Sequence, residues 1–212
     1  MLEIFGHFCF TYNHKMSYLR ISYRIIVFNV LFCFACNSGN ADKEKINKAY
    51  NSLKENEAVI LFKIDNKEFY SPQSIFRGEI QISDNLFSMT LVDQSEARTI
   101  VNFGGDKWYS QSPIKKEVFV DDQGGASIKI GKIIDQEKMI GEGYQMIEGT
   151  ITAEEFSKEK MVFKIAGKAG KYSDFQQPDK YVPVDGLIVY KMPKINYRNI
   201  TEKEVFRSSD NK

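Results

Sequence analysis

Both histidines of this 212-residue chain, His7 and His14, and all three cysteines, Cys9, Cys33 and Cys36, fall within the first 36 positions. Cys36 has the most informative setting. It closes a run that reads Arg20-Ile21-Ser22-Tyr23-Arg24, then residues 25–35 without a charge, then the cysteine. A basic head, an apolar stretch of roughly 7–15 residues and a small residue together make a secretory signal. The apolar stretch is far short of the roughly 20 residues that span a bilayer as a helix. Ala35 supplies the small residue. A cut before Cys36 leaves its thiol at the new N-terminus, open to acylation.

Such a cut also decides which chemistries remain. Downstream of it there is no histidine, and the only cysteine is the acylated one. Ser-His-Asp and Cys-His catalysis need an imidazole to carry the proton. Ordinary zinc, copper and haem sites need His or Cys ligands. Intramolecular disulfides are removed as well, although an oxidising compartment permits them. No cofactor and no metal site is expected.

The order of basic residues, apolar stretch, Ala35 and Cys36 resembles the export signal of bacterial lipoproteins. Cys33 stands where that pattern prefers Leu, Val or Ile. The resemblance implies a cysteine carrying two or three acyl chains. Each buried methylene contributes about 0.8 kcal/mol, so two chains hold a protein firmly where one holds it marginally. With its Lys/Ile/Asn/Phe-rich composition and β-rich pattern, the chain resembles the small lipoproteins of Bacteroidetes-type bacteria. That resemblance carries over no functional residue beyond Cys36. It implies export to the cell envelope, lipid-anchored at the outer membrane on its periplasmic or surface face. Met16 begins a compact leader, 16–35, and residues 1–15 read as an extension upstream of the true start.

The remaining acidic and glycine-rich stretches lack the spacing of a catalytic or ligand-binding motif. The segment 121–125, Asp-Asp-Gln-Gly-Gly, lacks the alternating ligands and terminal Glu of a calcium loop and reads as a hairpin turn. Gly104-Gly105-Asp106-Lys107 lacks phosphate-loop spacing and also reads as a turn. Glu142, Glu154 and Glu155 read as solvated strand positions. Three of the 29 basic residues and one of the 28 acidic ones precede Cys36, so the exported part is near neutral. With no basic stripe, nucleic acid has no electrostatic foothold.

About 175 residues beyond the cut suffice for one domain with a real core. Residues 36–42 are small and polar and suit a flexible tether. Ile46, Ala49, Tyr50 and Leu53 repeat at helical spacing, which predicts an amphipathic helix over 43–57 with Asp42 as its cap. From residue 58 to 193 the period changes to two. Strands are expected at 58–64, 75–83, 86–92, 98–103, 107–110, 117–120, 126–134, 143–156, 160–166 and 186–192, with turns such as Asp65-Asn66 and Asp84-Asn85 between them. The fold class is therefore all-β, a single antiparallel β-sandwich or partly closed barrel of nine or ten strands preceded by one short helix. Short turns predict antiparallel neighbours throughout. Residues 167–183 read as a long loop, and 194–212 as a polar, fraying tail.

Two aromatic groups are candidate binding surfaces: Trp108 with Tyr109, beside a glycine turn, and Tyr172, Phe175 and Tyr181 in the long loop. Nothing in the sequence places the two groups together, and for Trp108 a half-buried strand residue is the favoured reading. The expected function is a non-catalytic binding or structural domain. Its expected partners are the membrane, through the lipid anchor, and an envelope protein or glycan. A calycin-like carrier of an apolar ligand is the alternative, because a filled core and a lined cavity have the same pattern. A carboxylate-dependent glycan hydrolase comes third. The oligomeric state is left open by the sequence.

Overall fold

Side-chain alternation builds most of this fold. The computed structural model describes residues 38–119 and 125–206. In β3 (Arg77–Ser83) and β4 (Leu86–Val92), Ile80, Ile82, Phe87, Met89 and Leu91 turn inward and are fully buried, while Glu79, Gln81 and Thr90 face outward. The remaining strands are β1 (Glu57–Ile64), β2 (Lys67–Glu68), β5 (Arg98–Gly104), β6 (Ile114–Phe119), β7 (Ser127–Asp135), β8 (Ile140–Phe156), β9 (Lys160–Lys171), β10 (Val182–Lys191) and β11 (Lys194–Arg198). The tight turn between β1 and β2 sets Asp65 and Asn66 both at positive φ, 51° and 62°. That is the signature of a type I′ hairpin turn.

These eleven strands form one large, mostly antiparallel sheet that is not closed. Its order is β11-β3-β4-β5-β7-β8-β9-β10-β1-β2, with β6 paired to β8 off this path. The sheet nevertheless curls back on itself. Phe87 on β4 and Phe163 on β9 lie four strand steps apart, about 19 Å in a flat sheet. Their ring centroids are 5.6 Å apart. On the other side of the curl, Ala58 of β1 and Phe76, just before β3, exchange backbone hydrogen bonds of 2.8 and 2.9 Å. The enclosed face holds one continuous core that includes Phe62, Phe76, Phe87, Phe103, Phe163 and Tyr190.

Contacts divide the chain into Met1–Lys45 and Ile46–Lys212, and α1 (Ser38–Ser52) begins in the first unit and ends in the second. In the second unit, Ile46, Ala49, Tyr50 and Leu53 cover the outer face of the sheet at Val59, Val162, Leu187 and Val189. This second layer explains the unbroken apolar runs Met161-Val162-Phe163 and Ile188-Val189-Tyr190, where strands are buried on both faces.

Several expectations need correction. The helix covers 38–52, so it occupies most of the expected tether, and Asp42 lies inside it rather than at its cap. Residues 107–110 form a turn and not a strand. The expected long loop shrinks to 172–181, because β9 runs on to Lys171 and β10 starts at Val182. The expected tail contains β11 and α2 (Glu202–Val205). β11 pairs with β3 in parallel, against the antiparallel expectation. Thr201 and Glu204 make a capping box that sets Val205 into the core. Residues 1–15, the leader 16–35, Cys36 and the acidic turn up to Gly124 lie outside the described residues.

Candidate functional site

Trp108 belongs to the core, so its role as a binding surface is corrected. It is 3% exposed, and its indole N–H donates to the Ser83 carbonyl at 3.0 Å. The rings of Phe87, Phe103 and Phe156 surround it at centroid distances of 5.4–5.7 Å. Tyr109 meets its edge at 5.4 Å and is half-buried against the same core. Buried Trp usually finds a partner for its N–H, and the Ser83 carbonyl fills that role.

The second aromatic group has a different character. Two single-turn 3-10 helices, Tyr172–Asp174 and Pro178–Lys180, carry the loop from β9 to β10. Tyr181 is half-buried and pins this loop by donating to the Phe175 carbonyl at 2.7 Å. Lys180 and Asp174 add an ion pair at 3.1 Å. Phe175 is half-buried, whereas Tyr172 stays 50% exposed. Tyr172 lies over Gly143, where an added Cβ would fall 2.4 Å from its ring. The two aromatic groups therefore sit at opposite ends of β8. Phe156 touches Trp108 and Gly143 touches Tyr172, with about 40 Å of strand between them.

Tyr172 forms one wall of an open trough of about 470 Å³. Sheet register explains the trough. Arg98 on β5 lies opposite Gly131 on β7, and Gly131 lies opposite Gly143 on β8. Two residues without side chains thus separate an arginine from a tyrosine, and Gly141 extends the bare floor. Beyond this row, β5 no longer pairs with β7 and β9 no longer pairs with β8. The β7–β8 hairpin continues as a two-stranded arm with Ile134, Met139 and Ile140 exposed.

On the opposite face of the same strands, charge is tightly organised around Phe69. Lys132 and Glu142 are cross-strand neighbours. Glu142 Oε1 lies 3.1 Å from Lys171 Nζ and accepts the Tyr144 hydroxyl at 3.2 Å. Lys132 Nζ donates to the Phe69 carbonyl at 2.8 Å and sits 4.5 Å from that ring's centroid. Burial pushes the Glu142 carboxyl up, but the Lys171 hydrogen bond and charge, the Tyr144 hydroxyl and the Lys132 charge outweigh it. The net result holds Glu142 below the usual carboxylate range. The hydrogen bond to Glu142 and its charge in turn hold Lys171 above the usual lysine range. Burial raises Tyr144 and Tyr172. Glu142 is thus a half-buried, paired carboxylate, which corrects its reading as a solvated strand position.

A carboxylate stabilised as the anion is a poor proton donor at neutral pH, whereas glycoside hydrolysis needs one acid with a raised pKa. The trough itself is lined by Arg98, Glu96 and Tyr172, while the side chains of Glu142 and Lys171 pair with each other on the opposite face of the strands. Among the described residues, no three His, Cys, Asp or Glu side chains gather into a group suited to a metal ion. No described helix is long and apolar enough to cross a membrane. Of the site's residues, sequence reasoning found Tyr172. It missed Arg98, Lys132 and Lys171, whose only local signal was the Gly141-Glu142-Gly143 repeat opposite Gly131. Comparison with protein-family models, curated proteins and solved structures finds no match to this chain.

Proposed function

We propose that this chain is a lipid-anchored protein of the cell envelope whose β domain binds a partner molecule and does not transform it. The observation that carries the reading is Cys36, placed directly after a basic head, an uncharged apolar run and Ala35. The domain's side chains support it. Glu142 is held ionised between lysines, which suits recognition better than proton transfer. An apolar-ligand carrier is less favoured, because Phe87, Met89, Leu91 and Phe163 are 0% exposed and border no space large enough for water. A carrier of that kind keeps a lined cavity of roughly 300–1,000 Å³.

Fractionation of producing cells, with mass spectrometry of the N-terminal peptide, tests the proposal. The wild-type chain is expected in the membrane fraction, starting at an acylated Cys36. Cys36→Ser is expected to leave that fraction. An intact leader, a bare thiol at Cys36, or an unmoved Cys36→Ser variant refutes the anchor.

A further inference from the structure

The β7–β8 arm and the trough at its base share one outer face. Strand alternation puts Gly131, Gly141 and Gly143 on that face, with Arg98 beside Gly131 and the Tyr172 ring over Gly143. A register shift between Ile133 and Asp135 leaves Ile134 as an extra residue, so Ile133 and Ile134 together oppose Gly141. The face is therefore flat backbone at three glycines with two isoleucines beside it, and another strand pair can approach it closely. Ile134 is 59% exposed, and Met139, in the turn at the tip of the arm, is 71% exposed. Both edges of the arm are unpaired beyond the row that holds Arg98, Gly131 and Gly143. A two-stranded hairpin is marginally stable by itself in water, so an arm of this kind gains from a cover.

Charge and shape point to one cover. The base of the face carries Arg98 and Tyr172, and the tip carries Glu137 and Met139. Among the described residues, the side chains of Arg98 and Glu137 make no ion pair, whereas Lys138 at the tip pairs with Asp135 at 3.4 Å. A cation and an aromatic ring at one end, with an anion and a thioether at the other, match themselves under a two-fold axis. A lipid surface would have to accept Asp135, Glu137 and Lys138 together with Met139, at the cost of desolvating those charges. We propose that the chain forms a two-fold dimer in which the arms of two copies lie antiparallel, glycine face on glycine face. The axis passes near Ile133 and Gly141. Met139 of each copy meets Tyr172 of the other, a favourable sulfur–aromatic contact. Glu137 of each copy meets Arg98 of the other, which gives both a charge-assisted partner. Two short arms and two troughs bury less than about 1,200 Å², the range of weak, reversible complexes. The dimer goes beyond the binding role proposed above and does not depend on the anchor.

Sedimentation equilibrium of the full chain, in detergent density-matched to the buffer, tests it. The wild-type chain is expected to dimerise reversibly with a Kd of about 1–100 μM. Met139→Asp is expected to weaken the dimer about tenfold or more. Arg98→Glu and Glu137→Arg each set like charges against one another at both ends and are expected to weaken it by a similar factor. The double variant restores opposite charges and is expected to recover wild-type affinity, which a damaged arm would not do. All three side chains are exposed, so circular dichroism is expected to show an unchanged fold in every variant. A wild-type chain that stays monomeric up to about 500 μM overturns the dimer. So does self-association that Met139→Asp leaves unmoved, or a double variant as weak as the single ones. If the Cys36→Ser chain is instead monomeric and floats with phosphatidylethanolamine–phosphatidylglycerol vesicles, and Met139→Asp abolishes that flotation, the face meets lipid and the dimer is overturned.

Discussion

The hydroxyl of Tyr190, on β10, lies 2.9 Å from the carbonyl oxygen of Gly78, on β3, a residue 112 positions away in the chain. The two strands lie toward opposite ends of the sheet path, so this contact spans the curl that encloses the core. The same hydroxyl is 2.6 Å from Asn56 Oδ1, which also accepts the Lys194 backbone N–H at 3.2 Å. One side chain thereby joins β10, β3 and the segments before β1 and at β11. Tyr190→Phe leaves these acceptors without their shared donor and is expected to cost about 1–2 kcal/mol in urea unfolding.

That phenol also predicts an alkaline limb. Burial pushes Tyr190 from 10.0 to about 12. A raised folded value means that its contribution is complete below the unfolded value and is lost as pH rises from 10 toward 12. Wild-type stability is expected to fall more steeply across that window than the stability of Tyr190→Phe. Equal slopes in a urea series above pH 10 would contradict this.

Asp93 organises the turn before β5 with both carboxylate oxygens. Oδ1 accepts the backbone N–H groups of Ser95 and Ala97, each at 2.8 Å, and Oδ2 accepts the Ser74 hydroxyl at 2.6 Å. Asp93→Ala strands three donors and is expected to destabilise by about 2–4 kcal/mol. Asp93→Asn keeps one acceptor for the two N–H groups, and Ser74 can rotate to accept from the amide. It is expected to cost less than half as much by thermal or chemical denaturation.

Glu57 supplies an acid limb. It accepts the Lys54 backbone N–H at 2.9 Å and pairs with Arg77 at 2.5 Å. The backbone hydrogen bond, followed by the Arg77 interactions, holds its carboxyl below the ordinary value of 4.5 despite burial. A depressed value contributes stability that is present above the unfolded pKa and lost as pH falls through the folded one. The difference in unfolding midpoint between wild type and Glu57→Gln is therefore expected to shrink as pH drops below 4.5. A difference that stays constant to pH 3 would show that the carboxylate charge contributes nothing.

Trp108, the sole tryptophan, makes the core directly observable. With 3% exposure among four aromatic rings, its native fluorescence is expected to be blue-shifted and shielded from iodide. Trp108→Ala is expected to cost about 3–5 kcal/mol through the cavity it leaves. Strong iodide quenching of the folded protein would move this residue back to the surface.

The hairpins were legible because strand alternation is local. Ile80 and Ile82 on one side of Asp84-Asn85, with Phe87, Met89 and Leu91 on the other, state both the inward face and the turn within a dozen residues. The helix face was legible for the same reason, since Ile46, Ala49, Tyr50 and Leu53 meet the sheet as their spacing requires. β11 was not legible. Lys194-Ile195-Asn196-Tyr197-Arg198 is short and polar, and its pairing with β3 lies more than a hundred residues back. Trp108 was ambiguous because no local pattern distinguishes a ring beneath a turn from a ring above one.

The candidate site divides in the same way. Tyr172 stood out in the sequence as an aromatic in a loop. Its partners come from β5, β7, β8 and the end of β9, and only strand register brings Arg98, Gly131, Gly143 and Tyr172 into one row. Residue type and short-range period alone therefore determined that this is an all-β domain with one packed helix, because hydrophobic alternation acts over a few residues. Tertiary structure decided which aromatic faces water and which charges pair, as Lys171 and Glu142 do. Those outcomes depend on how strands distant in the chain align, and no local pattern contains that alignment.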